Sequence, residues 1–370
     1  MVKTITIVGA NLAGGRAAET LREEGFDGKI FLVGEEPWRP YERPLLSKEF
    51  LWDNTKLPDT FFLHDDSWYS DKNIDMRLGE RAEALDLAAG GVRLGSGEFL
   101  KSDKILLATG GRARVLPLKG SDAPNVHYLR TKDDADRLAY DLKAGAHIVI
   151  IGMGVIGCEV AASAKKAGCD VTTIEPADVP MGRALGQKFG DWLGRYHRSQ
   201  GVRSFYGLTP SELELNGEVV CAVKCNDGTR IECDAIVVGV GIVPNMELAQ
   251  AAGVETSNGI VVDQQCRSNH SHIFAAGDVA FQPSFFGGKV RLETYQNASE
   301  QAAAAARSMI GIEQSYLKPG AFWSDQYDLN MQAIGMLDDS LEIAIRGSLD
   351  ENKFTAFFLN NSVVSGVLMV

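Results

Sequence analysis

No apolar run in the 370 residues approaches the ~18 that a membrane-spanning helix requires, so neither a span nor a membrane partner is expected. Basic residues are in the minority, 37 Lys and Arg against 49 Asp and Glu, which leaves a net charge of −12. With no basic stripe to offset it, nucleic-acid binding is excluded as a function. An acidic protein partner would need a local basic patch. The six cysteines, Cys158, Cys169, Cys221, Cys225, Cys233 and Cys266, include no Cys-x-x-Cys pair. Cys221 and Cys225 fall in an alternating stretch that closes on the turn Asn226-Asp227-Gly228. There they are expected on one face of a strand, a spacing open to a ligand pair but more in keeping with buried thiols in a reducing cytosol. The six histidines fit no metal spacing; His147 begins one buried strand and His272 precedes another. No metal site is expected. The N-terminal apolar stretch is short, carries only Lys3 and flows into a glycine turn, so it reads as a first strand and not a signal peptide. A cytoplasmic protein of two or three domains is the expectation.

Glycine is abundant instead, 39 residues, and two clusters of it carry chemical meaning. The strand TITIVGA runs into Gly9-Ala10-Asn11-Leu12-Ala13-Gly14, and HIVIIGM runs into Gly152-Met153-Gly154-Val155-Ile156-Gly157. A strand that ends in closely spaced glycines and opens a helix brings backbone N–H groups against a pyrophosphate, and the helix N-terminus stabilises its charge. Two such turns imply two dinucleotides. The first departs from G-x-G-x-x-G at Asn11, which is expected to take left-handed backbone angles in the missing glycine's place. Glu35 or Glu36 ends the next strand, where a carboxylate can bind both ribose hydroxyls of an adenosine. The second turn is complete, and Glu175 closes its unit. A carboxylate there accepts the free 2′-hydroxyl of NAD and repels the 2′-phosphate of NADP, although Arg183 lies nearby. NADH is expected over NADPH. A further flavoprotein signature, IFAAGD at 273–278, points to FAD as the other dinucleotide.

The first unit reads as a strand over 3–8, a helix over 13–24 stopped by Gly25, and the strand KIFLVG ending at Glu35. An irregular stretch rich in Pro and aromatics, 37–63, is expected to be loop or short helices. Short strands and hairpins fill 74–107 and close on KILLATG at Thr109-Gly110. A linker at 112–124 and a helix at 132–143 lead to the second unit, 147–175, with its helix over 156–167. Further hairpin-like strands run to IVVGVG, which mirrors KILLATG and ends at Gly241. The two halves therefore read as copies of one plan. A helix over 298–309 follows, and alternating segments from Phe322 predict a small antiparallel sheet.

Pro40-Tyr41-Glu42-Arg43-Pro44-Leu45-Leu46-Ser47-Lys48 resembles the P-Y-x-R-P-x-L-S-K segment of the oxygenase-coupled NADH–ferredoxin reductases. The likeness extends, in order, through Ala108-Thr109-Gly110-Gly111, Tyr128-Leu129-Arg130-Thr131, Gly154-Val155-Ile156-Gly157-Cys158-Glu159 and Arg291-Leu292-Glu293-Thr294 with Asn297-Ala298. It covers essentially the whole chain. The resemblance implies an α/β, glutathione-reductase-like fold with two dinucleotide-binding domains and a small α+β C-terminal domain. FAD would be bound by 1–111 and 236–318, NAD by 112–235, and the C-terminal domain would occupy 319–370. The family continues in helical structure past its last strand, so a chain stopping at Val370 is expected to have a shortened third domain.

Carried over by position, Ala13, Glu35, Lys48, Ala82, Arg130, Asp278 and Tyr295 would contact FAD, with Gly9, Gly14, Arg43, Thr109 and Gly110 of the matched segments. Asp278 would meet the ribityl or pyrophosphate portion, its charge eased by a helix starting near Val279. Gly152, Gly154, Val155, Ile156 and Gly157 would hold NADH, with Glu159, Glu175, Arg183, Gly241, Glu293 and Trp323 on the same side. Lys48 and Glu159 are the implied catalytic pair, a lysine beside the flavin held by a glutamate. A cation there favours the anionic reduced flavin. Trp38, Tyr41, Tyr295 and Trp323 could shield the ring or fill the core.

Residues 35–50 hold no cysteine where the NADH peroxidases and CoA-disulfide reductases of this fold place one. Electrons are therefore expected to leave the flavin directly. The implied reaction passes hydride from NADH to FAD, and then single electrons to a [2Fe–2S] ferredoxin, or a rubredoxin, serving a terminal oxygenase. The alternatives are an NADH oxidase or quinone-type flavin reductase and, from another class, an apoptosis-inducing-factor-like protein whose NADH-reduced state switches its assembly. Monomer and homodimer both remain open.

Overall fold

A computed structural model describes residues 2–53 and 58–370. The chain divides into two units, each discontinuous in sequence. Residues 1–42, 58–112 and 243–321 form one, and residues 43–57, 113–242 and 322–370 the other. No helix among the described residues is long and apolar enough to cross a membrane.

The first unit is built on a parallel sheet with strands in the order Ile273–Ala275, Lys104–Leu107, Thr4–Val8, Lys29–Gly34 and Ile74–Leu78. Both faces of this sheet are covered, which is why its inner strands carry apolar residues on both faces, as at 30–33 and 105–107. Ile5, Ile7, Ile30, Leu32 and Leu106 pack with the helices Leu12–Glu23 and Tyr295–Met309. Val8, Phe31, Val33, Ile105 and Leu107 pack with an antiparallel insert, Ala82–Asp86, Gly91–Leu94 and Phe99–Lys101. The two helices share a core of small residues, Ala13, Ala17 and Ala18 with Ala298, Ala302 and Ala305. Of the short strands and hairpins expected over 74–107, the first, Ile74–Leu78, pairs in parallel with Lys29–Gly34 and extends the sheet, and the hairpins follow it.

The second unit repeats the plan. Its parallel sheet has the order Arg203–Tyr206, Asp170–Glu175, His147–Ile151, Ala235–Val238 and Val126–His127. An antiparallel insert follows, Pro210–Asn216, Val219–Cys225 and Arg230–Glu232. An antiparallel sheet ordered Ala321–Gln326, Leu329–Gly335, Val363–Met369, Lys353–Asn360 and Glu342–Ser348 completes the unit. The segment rich in Pro and aromatics contributes a 3-10 turn, Arg43–Ser47, and a short helix, Glu49–Trp52. Residues 54–57 of that segment lie outside the described residues.

Two features of this unit differ from expectation. The hairpins foreseen after Glu175 begin only at Pro210, and a helix, Gly182–Ser199, precedes them. Glycine recurs there at every fourth position, 182, 186, 190 and 194. The backbone leaves the helical region at Gly186 (φ +76°, ψ 177°), which kinks the segment, and Gly190 and Gly194 beyond it each cost about 1 kcal/mol against alanine. Close packing overrides that cost. A Cβ on Gly190 would lie 2.5 Å from Val179 Cγ2, and one on Gly194 would lie 3.0 Å from the Tyr206 hydroxyl. Phe189 and Trp192 anchor the helix to Phe354 and Phe358, with ring centroids 5.1 to 5.8 Å apart. The second difference is at Cys221. A register shift opposite Glu214 and Leu215 inserts it between the paired residues Val220 and Ala222. Strict alternation is lost, so Cys225 joins the core with Val220 and Val223 while Cys221 stays half-buried against the Glu214 carbonyl.

Candidate functional site

The first glycine turn joins the strand Thr4–Val8 to the helix Leu12–Glu23. Gly9 has φ +114°, and a Cβ on it would collide with the Ala108 carbonyl oxygen. A Cβ on Gly14 would fall on the Gly9 carbonyl oxygen. Only glycine lets strand end, helix start and neighbouring strand meet so closely. Asn11 is not left-handed. It is extended (φ −118°, ψ −157°) and caps the helix, its Oδ1 accepting from Leu12 N–H at 3.1 Å.

Gly277, at φ +80°, approaches the same helix, and a Cβ on it would lie 3.1 Å from Ala13 Cβ. The structure thus brings the first turn and the Gly277-Asp278 turn together. Behind them, Gln301 Oε1 accepts from Gly277 N–H at 2.8 Å and belongs to a buried amide cluster with Gln282 and Asn297. No helix begins at Val279, where the strand Ala280–Pro283 runs instead, so Asp278 is not served by a helix N-terminus. Arg291 donates to the Asp278 carbonyl at 3.3 Å and pairs with Glu293 at 2.5 Å, which places Glu293 in the first unit.

Glu35 extends from the end of Lys29–Gly34, 72% exposed and 3.5 Å from Arg81. Glu36 instead accepts from the buried Tyr41 hydroxyl at 2.6 Å. Of the two acids, Glu35 is the one open to a ribose. Thr109 and Asn245 latch the closing strand, Thr109 Oγ donating to the Asn245 carbonyl at 2.6 Å and Asn245 Nδ2 returning to the Thr109 carbonyl at 3.0 Å. Asn245 N–H also donates to the Gly110 carbonyl at 2.9 Å. Tyr295 donates to Glu42 at 2.9 Å. Burial pushes the Glu42 carboxyl up, against the opposing pull of Tyr295 and Arg16. Ala82 opens the antiparallel insert of the same unit.

The second turn has the same construction. Gly152 is at φ +94° with its Cβ position 2.5 Å from the Gly239 carbonyl oxygen, and a Cβ on Gly157 would fall on the Gly152 carbonyl oxygen. Gly154 differs, because nothing lies within 4 Å of its Cβ position. It is exposed at the helix N-cap with no side-chain cap, beside Val155 and the exposed Ile156, so no side chain closes off the start of this helix. Glu175 is held at this turn, Oε2 accepting from Met153 N–H at 2.6 Å and Oε1 from Ala177 N–H at 2.9 Å. Met181 N–H donates to the Met153 carbonyl at 2.7 Å, which fixes the segment carrying the exposed Arg183. Gly241, at φ +94°, lies between the strands Ala235–Val238 and Ile242–Pro244.

The third constellation, also in the second unit, is an ion pair. Lys48 Nζ lies 3.0 Å from Glu159 Oε1, with side chains 11% and 3% exposed. Lys48 follows the turn Arg43–Ser47 and also donates to the Pro44 carbonyl at 3.3 Å. Glu159 sits on the helix of the second glycine turn, Val155–Lys166. Ser47 Oγ donates to its Oε2, and Ser324 Oγ to its Oε1 at 2.7 Å. Arg43 donates to the Arg130 carbonyl, and Arg130 N–H to Asp134 at 3.1 Å, which ties this turn to the capping box of Lys132–Asp141. Trp323 precedes Ser324 on Ala321–Gln326 and so falls on the opposite side of that strand. Sequence reading found Lys48 and Glu159 but missed Ser47, Ser324, Gln326 and His197. The available signal was W-S-D-Q, polar residues at the inward positions of a strand.

His197 is fully buried, and loss of solvent pushes it down to about 4, opposed by its bond to Gln326. Between pH 6.5 and 4 the unfolded chain binds a proton that the folded chain refuses. Stability is therefore complete above about 6.5 and falls as pH is lowered through that window, by roughly 3 kcal/mol. Urea midpoints measured from pH 7 to 4 should show this slope, and His197→Asn should flatten it.

The sequence pattern of the pyridine nucleotide-disulphide oxidoreductases matches residues 3–302, and that of the reductase C-terminal domain matches residues 321–370. Rhodocoxin reductase of Rhodococcus erythropolis is 38% identical over 365 residues, 98% of this chain and 85% of its own. The 3-phenylpropionate/cinnamic acid dioxygenase ferredoxin–NAD(+) reductase component of Photorhabdus laumondii is 38% identical over 371 residues, 100% of this chain and 93% of its own. Putidaredoxin reductase, solved in a covalent complex with putidaredoxin, superposes with a TM-score of 0.95 at 35% identity, covering 99% of this chain and 89% of that one.

Proposed function

The chain belongs to the pyridine nucleotide-disulphide oxidoreductases, with the glutathione-reductase-like fold of the ferredoxin–NAD(+) reductases, and from that membership we propose that it passes electrons from NADH through FAD to a [2Fe–2S] ferredoxin of an oxygenase system. It is an oxidoreductase that uses a flavin and a pyridine nucleotide. The observation that carries the finer reading is the pairing of two glycine cradles with one buried Lys48–Glu159 ion pair.

In this reading the first unit holds FAD. The amides after Gly9 take its pyrophosphate, Glu35 its ribose, and the Gly277-Asp278 turn its neighbouring portion. The second unit holds NADH, the open helix start at Gly154 taking the pyrophosphate and Glu175 the adenosine ribose. Lys48 supplies a fixed cation for the flavin, and Glu159 orients it. FAD, when bound, accepts electrons in a pair and releases them singly, the chemistry that links a nicotinamide to a one-electron acceptor. This reading uses no thiol relay: all six cysteines are free, and burial holds the Cys158 thiol, next to Glu159, well above its usual range.

Anaerobically NADH-reduced enzyme, mixed in stopped flow with a [2Fe–2S] ferredoxin or with oxygen, should reoxidise much faster with the ferredoxin. Faster reaction with oxygen would replace this reading with that of an NADH oxidase. Glu175→Gln removes the charge facing a 2′-phosphate. The ratio of kcat/KM for NADH to that for NADPH should fall about tenfold or more, a shift of at least ~1.4 kcal/mol.

A further inference from the structure

Glu159 is the end of a chain of buried polar groups that leads away from Lys48 into the second unit. Ser324 and Gln326 are both fully buried, at inward positions of Ala321–Gln326. Gln326 Nε2 donates to Ser324 Oγ at 3.0 Å, and Gln326 Oε1 lies 2.9 Å from His197 Nε2. His197 Nδ1 lies 2.9 Å from the Tyr327 hydroxyl. Met181 Sδ lies 3.6 Å from Gln326 Nε2, a further neighbour of that amide.

One requirement orders every proton along this line. Glu159 Oε1 can only accept, so the single hydroxyl proton of Ser324 must point at it. Ser324 then has only lone pairs for Gln326, which must present its NH₂. With its NH₂ so committed, Gln326 presents its carbonyl to His197, which must carry its proton on Nε2. Nδ1 of the neutral ring is left to accept from Tyr327. Turning the Gln326 amide over reverses each step and leaves Ser324 Oγ without a proton for Glu159, two acceptors face to face in a buried site. The chain therefore runs one way, from Tyr327 through His197, Gln326 and Ser324 to Glu159.

We propose that Gln326 and His197 are positioning residues for the Lys48–Glu159 pair, acting through Ser324 to fix the carboxylate and hence the place of the Lys48 ammonium. Ser47 holds one carboxylate oxygen, and the chain holds the other. The Gln326 NH₂ occupies a lone pair of Ser324 Oγ and so restricts the hydroxyl to the rotamer aimed at Oε1. Without the chain Ser324 is held from the Glu159 side alone, and the carboxylate and the ammonium are no longer fixed in one place. The inference rests on Lys48 being the cation that tunes the flavin.

The test is the midpoint potential of the bound flavin, measured by anaerobic spectroelectrochemistry on holoenzyme. Lys48→Met should lower it, because a cation that favours the reduced flavin is gone. Gln326→Leu, which keeps the shape and removes both links, should lower it in the same direction by a smaller amount. A lowered potential with Lys48→Met and an unchanged one with Gln326→Leu would overturn the proposal and leave the role of Lys48 standing. No change in either would overturn the role of Lys48 and the proposal with it. A second measurement needs no variant. In wild-type protein labelled with ¹⁵N-histidine, His197 should be the neutral Nε2–H tautomer, and finding the proton on Nδ1 would overturn the ordering argument.

Discussion

Glu159→Leu should cost the second unit about 3–5 kcal/mol of stability. The Lys48 side chain is 11% exposed, so its ammonium would stay largely out of water with the Pro44 carbonyl, at 3.3 Å, as its remaining partner among the described residues. The hydroxyls of Ser47 and Ser324 would lose their acceptor in the same step. Removing one member of a buried pair leaves an uncompensated charge, whereas removing both leaves none. The double variant Lys48→Met, Glu159→Leu should therefore recover most of the loss. A double-mutant cycle on urea unfolding measures the difference as a coupling energy. Additive single effects would mean that the pair contributes nothing specific to the fold.

Exchanging one glycine in each turn should separate the two nucleotides. Gly14→Val forces a branched side chain onto the Gly9 carbonyl, a backbone group that cannot step aside. The purified protein should lose its flavin, with the ratio of 450 nm to 280 nm absorbance down by tenfold or more. Gly157→Val makes the same collision with the Gly152 carbonyl in the other unit. That variant should stay yellow while the NADH concentration needed to bleach it rises at least a hundredfold, about 2.7 kcal/mol of binding. If Gly157→Val instead lost the flavin, the assignment of nucleotides to turns would be reversed.

Much of this was legible in the chain because repeated local rules agree. Ile5 to Val8, Ile30 to Val33 and Ile148 to Ile151 are short apolar runs next to glycine turns, and each is a central strand of a covered sheet. Lys48 and Glu159 were legible through resemblance, which carried them across a long separation in sequence. What failed did so where tertiary contact decides. Gly182–Ser199 looks like a poor helix because the glycines that weaken it are also the ones that let it approach Val179 and Tyr206. Asn11 stands where a glycine is usual, yet the backbone there is extended. The positive φ that the turn needs is supplied by Gly9. At that position glycine answers to the space a ligand needs, as open Gly154 shows, and not to backbone angle. Ser324 and Gln326 are unremarkable letters until the fold brings them to Glu159.

The discontinuity of the two units also sets an order of events during synthesis. Neither unit is finished when the other begins, because residues 43–57 belong with 113–242 and 322–370, and the stretches between them belong elsewhere. Ser324 follows Glu159 by 165 residues, on the order of 10–30 s of translation at ordinary ribosome speeds. For that interval the helix bearing Glu159 exists on the nascent chain without the strand that supplies its second donor. The aromatic face of Gly182–Ser199 likewise waits for Phe354 and Phe358. The ion pair is thereby completed by a segment made long after both its members, and a growing chain holds the parts of its buried ion pair well before it can lock them in place.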